Sequence, residues 1–292
     1  MKGPAKYGII HGMRKLLFAM FAGAFAAGCC TGPAGGCGPK VSVFSGTIDY
    51  VAKSRGVSIG EAADMLREVG VGGFDCSYKS TNLAAYAATC LVPVNLYGSI
   101  DFYAPDGGRA ASDAFVAAAV KYGVPRIMCI PTEFTDGKPN EPELRKNVDG
   151  LKYLVAEAGK RGVTVTVEDY GGDKNPCSWT SCLKRFMNEI PELKFALDSG
   201  NMVYAQRGED IREMMRFAEG RIAHVHLKDF KHGSSRVRET IGLGSVPNAE
   251  IVRTMAARGY DGWYTLEDLV GDRLEDAVRQ VGLVRHWCRS AK

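Results

Sequence analysis

Arg221–Asp229, RIAHVHLKD, reads as a β-strand in which apolar and polar positions mix before the chain ends in charge. Two stretches of the same kind lie upstream, VTVTVEDYGG with Glu168 and LKFALDSGN with Asp198, and one lies downstream, GWYTLEDL with Glu267. Each is a short β-rich run that closes on a carboxylate or an imidazole. The expectation is that Glu168, Asp198, His226 and Glu267 meet on one divalent metal at the mouth of a barrel.

Working outward, Lys40–Phe44 reads as the first strand. Ser58 and Glu61 then form a capping box that opens the helix EAADMLREV. The runs FDCSY, LVPVNLYGS and RIMCI supply strands two to four, separated by a short helix near Asn82–Thr89 and by ASDAFVAAAVKYG. Pro142, at the start of ELRKNVDGLKYLVAEAGKRG, sits where a first helical turn tolerates proline, and that helix is expected to stop at Gly162. Strands five to eight are VTVTVE, LKFALD, IAHVHL and GWYTLE. The helices SCLKRFMNEI, DIREMMRFAEG, NAEIVRTMAARG and DRLEDAVRQVGLVRHW alternate with them. Strict alternation implies a parallel sheet, and the length suits an α/β (β/α)₈ TIM barrel in a single domain. A doubly wound open sheet has weaker support, because the first strand–helix junction has no G-x-G-x-x-G turn.

The N-terminus reads differently. Lys2, Lys6, Arg14 and Lys15 precede the apolar run Leu16–Gly28, with no acid among them. That pattern is a secretory signal peptide, too short for a comfortable membrane span of ~20 residues. Ala26-Ala27-Gly28-Cys29 resembles a bacterial lipobox, which would place a lipid on Cys29, and a plain cleaved signal or a buried helix is the alternative. The expected organisation is a leader at 1–28, a Gly/Pro-rich tether at 29–39 and a barrel at 40–292, in an exported or membrane-anchored protein. The net charge of +4 comes from 37 basic and 33 acidic residues. Without the four leader cations, 33 stand against 33. No basic footprint for nucleic acid then remains. The expected partner is a small carbohydrate, with membrane contact only through the lipid and with homo-oligomerisation open. Of nine cysteines, Cys76, Cys90 and Cys129 sit in apolar runs, while Cys177 and Cys182 flank a loop where an oxidising compartment would allow pairing.

In such a barrel, strand C-termini carry catalysis. Three carboxylates and one imidazole make a hard, oxygen-rich site for Mn²⁺, Mg²⁺, Co²⁺ or Zn²⁺. Taken singly, Asp198 also reads as a helix N-cap before Ser-Gly-Asn, His226 as a core histidine, and Glu168 and Glu267 as loop or surface acids beside Asp169 and Asp268. Their recurrence at four consecutive strand ends favours the metal.

The runs TVEDYG, LDSGN, HVHLKDF, GLG and YDGWYTLED resemble the xylose isomerase-like TIM-barrel superfamily, nearest to its sugar (phosphate) isomerase/epimerase branch. The resemblance implies one metal held by Glu168, Asp198, His226 and Glu267, with Glu168 and Glu267 acting as acid and base on opposite faces of a sugar. A ketose carbonyl and neighbouring hydroxyl polarised by a metal make the adjacent C–H acidic enough for a glutamate to remove, through a cis-enediolate. Many members carry histidine where this chain has Asn201. Candidate sugar contacts are Asn201, Lys228, His232, Arg236, Tyr170 and Trp179. Arg238 is a further cation in the same loop, and Lys228 with Asp229 reads either as a pair orienting His226 or as a surface salt bridge. The expected activity is a metal-dependent isomerase or epimerase of a free sugar or keto-sugar outside the cytoplasm. The alternatives are a lyase or dehydratase on a 3-keto-glycoside or inosose-like ketone, and a non-catalytic sugar-binding lipoprotein.

Overall fold

A computed structural model describes residues 38–205 and 210–291. The leader, most of the tether and Cys29 lie outside the described residues. The barrel strands are β1 (Lys40–Phe44), β2 (Gly73–Ser77), β3 (Val92–Ser99), β4 (Arg126–Ile130), β5 (Thr164–Glu168), β6 (Lys194–Asp198), β7 (Ile222–Leu227) and, after a small antiparallel pair β8 (Asp229–Phe230) and β9 (Arg238–Glu239), β10 (Trp263–Leu266). The eight barrel strands close as β1-β10-β7-β6-β5-β4-β3-β2, all parallel. This is the expected (β/α)₈ barrel.

Alternation along each strand separates two environments. Val41, Val43, Phe74, Cys76, Val165, Val167, Phe195, Leu197, Val225, Leu227, Tyr264 and Leu266 are buried in the apolar core. The alternate positions point inward, and many are polar: Ser42, Asp75, Asn95, Thr166, His224, His226 and Thr265 are all 0% exposed. Branched aliphatic layers usually fill such an interior. Here the filling is a hydrogen-bonded network.

Two register shifts aim that network. Phe74 pairs with Pro93 but Asp75 pairs with Asn95, and Phe195 pairs with Ile222 but Ala196 pairs with His224. One residue, Val94 or Ala223, is skipped each time. A bulge of this kind re-aims the side chains beyond it. It brings Asp198 level with His226. At the other end of β7, Arg221 donates to the carbonyls of Met187, Ile190 and Leu193 and ties the strand's start to the chain before β6.

Three local readings change. A helix at Ser45–Arg55 follows β1 directly, with no side-chain cap from Phe44 to announce it. The helix Glu141–Gly159 ends before the expected Gly162, which instead takes a positive φ of 70° in the turn beyond. Cys177 and Cys182 are free thiols, both buried in the core rather than paired across a loop. The capping box is present as expected, with Ser58 Oγ accepting from the Glu61 amide at 3.2 Å.

Candidate metal centre

Glu168 and Asp198 close β5 and β6, His226 lies one residue before the end of β7, and Glu267 follows β10. The Glu267 amide donates to the Leu227 carbonyl at 2.9 Å, so the ladder holds this residue beside His226. One ligand atom from each of the four lies within 4.8 Å of the others. His226 Nδ1 contacts Glu168 Oε1. Asp198 divides its two oxygens. Oδ1 accepts from the amides of Gly200 and Asn201 at 2.8 and 2.7 Å, just ahead of the short helix Asn201–Tyr204 whose N-cap is Gly200. Oδ2 is buried, accepts no backbone amide among the described residues and faces the Lys228 ammonium at 3.1 Å. A carboxylate oxygen held only by a cation, inside a cluster of three acids, suits a hard metal ion. The four donor side chains therefore fit a divalent metal.

Lys228 supplies positive charge to the same cluster. Its ammonium is 2.7 Å from Glu267 Oε1 and 3.1 Å from Asp198 Oδ2, and its side chain is 4% exposed. Burial alone would lower this lysine, but the charges of Asp198, Glu267 and Glu168 outweigh it and hold the group protonated. Burial likewise favours the neutral form of Glu267, yet the Lys228 charge holds that carboxyl down to about 2. Burial pushes Asp198 well up, against the pull of Lys228.

Below the four ligands lies a second layer. Asp75 Oδ2 accepts from Asn95 Nδ2 at 2.9 Å and from His224 Nε2 at 2.8 Å, and lies 3.2 Å from His226 Nε2. Asp75 Oδ1 accepts from Thr265 Oγ1 at 3.1 Å. Arg126 Nη1 lies 3.1 Å from His224 Nδ1. A guanidinium can only donate, so His224 Nδ1 accepts and its Nε2–H points at Asp75. Burial lowers His224 to about 4, which keeps it neutral. The His226 ring thus stands between Glu168 and Asp75. Burial opposes its charge, but these two acids raise it well above the ordinary histidine value.

A cavity of about 320 Å³ opens on the cluster, lined by Glu168, Tyr170, Asn201, Tyr204, Lys228, Arg238 and Glu267 among others. Residues 78–285 match the family described as xylose isomerase-like TIM barrel. The chain belongs to that family. An inosose dehydratase of Geobacillus thermodenitrificans is 27% identical over 181 residues, covering 54% of this chain and 59% of that protein. The chain therefore matches little more than half the length of this curated relative. Among solved structures, the probable 3-DHS dehydratase AsbF of Bacillus anthracis superposes with a TM-score of 0.69 at 14% identity, covering 84% of this chain and 98% of that one. An L-ribulose 3-epimerase does so at 0.68 and 16%, covering 87% and 95%. These two show the shared fold.

Within this family member, the expected sugar contacts divide. Tyr170, Asn201 and Lys228 line the cavity. His232 is exposed and is not among its lining residues. Arg236 lies farther out, over the Tyr204 ring at 3.9 Å, beside a neighbouring cavity of about 420 Å³. Trp179 turns its indole N–H to the Asp173 carbonyl at 3.0 Å and packs on the core instead of lining the cavity. Arg238 is the loop cation that reaches the site, braced by Asp268 at 2.9 Å and by the Phe230 ring. Lys228 and Asp229 are not a pair of either expected kind. Asp229 instead accepts from the amides of Phe230, Gly242, Gly244 and Val246 at 2.8–3.2 Å and fastens the loop after β7. Asp75, His224 and Tyr204 were missed. For His224 the signal was present: it lies two residues from His226, hence on the same strand face.

Proposed function

We propose that this chain is a metal-dependent isomerase or epimerase of a free sugar or keto-sugar, met outside the cytoplasm. The observation that carries the reading is the placement of two glutamates, Glu168 and Glu267, on one four-donor cluster that opens into a cavity. Glu168, Asp198, His226 and Glu267 would hold the ion, and Mn²⁺, Mg²⁺, Co²⁺ or Zn²⁺ all suit parts of this donor set. When bound, it supplies Lewis-acid polarisation of a ketone and its neighbouring hydroxyl. The residues do the rest. One glutamate removes the proton from the carbon beside the carbonyl, and the other returns a proton to the opposite face or the next carbon. Lys228 and Arg238 bring positive charge toward the enediolate oxygens that develop. Tyr170 and Tyr204 offer aromatic faces to a ring. The basic and then apolar stretch ending at Gly28 supports export.

A second reading, loss of water from an inosose-like ketone, draws on the similarity to inosose dehydratase. It uses the same first proton removal, followed by departure of a hydroxyl from the next carbon.

One experiment separates them. The Mn²⁺-loaded protein is incubated in D₂O with ketoses, inososes and 3-keto-glycosides. Deuterium at carbon with retained mass balance of the sugar supports isomerisation or epimerisation. A dehydrated enone or dione supports the second reading. Sugar binding without carbon exchange in the whole panel would overturn both and leave a binding protein.

A further inference from the structure

We propose that Lys228 is the site's own counter-cation, so that a metal enters by displacing the lysine ammonium from Asp198. This rests on the metal centre proposed above. Asp198 has one oxygen to offer a metal, because Oδ1 already caps the chain through the Gly200 and Asn201 amides. The remaining oxygen, Oδ2, is the one that faces the Lys228 ammonium at 3.1 Å. The same ammonium holds Glu267, a second donor of the cluster, at 2.7 Å. Two cations sharing these oxygens at such range repel each other strongly where water is excluded.

The lysine's main chain is held in place, and its side chain borders the cavity. Its backbone amide donates to Ser199 Oγ at 3.1 Å, and its carbonyl accepts from Ser199 Oγ and Asn248 Nδ2 at 3.2 and 3.0 Å. Its stem runs across Gly200, where any Cβ would overlap Lys228 Cγ. The main chain is therefore fixed, and an exchange moves the side chain alone. The cavity wall that Lys228 shares with Tyr170, Asn201 and Tyr204 gives the displaced ammonium a polar destination. In the metal-free protein the lysine offsets three acids that would otherwise repel one another. In the loaded protein it becomes a charge facing the sugar. Metal loading and completion of the sugar cleft are then a single event.

The test uses the full chain, stripped of metal and titrated with Mn²⁺ alone, beside Lys228→Met. The expected result is a metal-free variant that melts lower by roughly 5 °C or more, yet binds Mn²⁺ tighter by roughly tenfold. Equal or weaker Mn²⁺ binding by a folded Lys228→Met overturns the exchange. If that variant does not fold, the wild-type protein decides. Acylation of Lys228 by an amine-directed reagent, read by peptide mass spectrometry, is expected to be slow without metal and faster with Mg²⁺. Labelling that Mg²⁺ leaves unchanged or slows overturns the inference. Failure of the wild-type protein to take up Mn²⁺ removes the metal centre itself. Uptake with no lysine effect removes only the exchange.

Discussion

Asp75 gives the most exacting test of how the site is held. It is fully buried and touches the metal-side histidine without being a candidate ligand in the four-donor group. Consider Asp75→Asn. The shape is kept, but the acceptor that takes His224 Nε2–H at 2.8 Å and Asn95 Nδ2 at 2.9 Å loses its charge. Hydrogen bonds to a charged group contribute about 1.5–3 kcal/mol each, against about 1 for neutral pairs. Weakening two of them while the partners stay engaged costs about 1–3 kcal/mol, or roughly 2–10 °C in melting temperature for a chain of this size. The effect on metal is separable. With Asp75 ionised, His226 donates Nε2–H downward and turns Nδ1 toward Glu168 and the cluster. With the amide oxygen kept at the Oδ2 place for Asn95 and His224, a neutral acceptor also takes the His226 Nε2–H more weakly and holds that tautomer less firmly. Partners that orient a metal-binding histidine are worth about 10–100-fold in affinity. Mn²⁺ titration of the folded variant should show a loss of that size, with the Glu168 and Glu267 chemistry otherwise intact. A folded Asp75→Asn that binds Mn²⁺ within roughly threefold of wild type would refute the idea that Asp75 sets the ring.

Three further outcomes are expected. Glu168→Gln and Glu267→Gln should each lower carbon–hydrogen exchange about 10²–10⁴-fold, measured by deuterium uptake under saturating metal, and retained exchange in both would remove them as acid and base. Acidification should weaken Mn²⁺ binding: the His226 value is raised in the metal-free fold, so its proton stabilises that fold fully below ~6.5 and is lost as pH rises through the higher folded value. A metal must expel that proton, so affinity should fall about tenfold per pH unit while one proton is released, and a flat titration series from roughly pH 6 to 8 would contradict it. Finally, if Cys29 carries a lipid, Cys29→Ser should abolish metabolic labelling with a fatty-acid analogue and move the protein from the membrane to the soluble fraction. Unchanged partition would leave only a cleaved or retained leader.

The fold was legible because each strand is a short β-branched or aromatic run bounded by a turn. β1, β4 and β7 coincide with the runs KVSVF, RIMCI and IAHVHL, and the other barrel strands differ by a residue or so at an end. The helix at Ser45–Arg55 was not legible, since it begins without a cap and its buried apolar residues are only Ile48 and Val51 beside Ser45 and Thr47. At the site, ligand type and strand-end position sufficed for Glu168, Asp198, His226 and Glu267. The loop residues were harder, because reach depends on where the loop is fastened. Asp229 pins Gly242, Gly244 and Val246, and that fold-back keeps Arg238 by the cavity while His232 stays in solvent.

The deeper layer was hidden for a stricter reason. Whether Asp75 meets the inward face that His224 shares with His226 depends on strand parity, and parity depends on register. Both bulges lie on the strands that matter. Without the skip at Ala223, the pairing of Phe195 with Ile222 would carry Asp198 to Val225 instead of His226. Without the skip at Val94, Asp75 would lie beside Val94 and not beside Asn95, whose amide it accepts. A linear pattern records neither shift, because β-propensity is indifferent to one residue passed over. The two skipped residues thus do more than any ligand to decide that an imidazole, and not a valine, meets the acids. The site is therefore a property of backbone register as well as of the side chains that carry its chemistry.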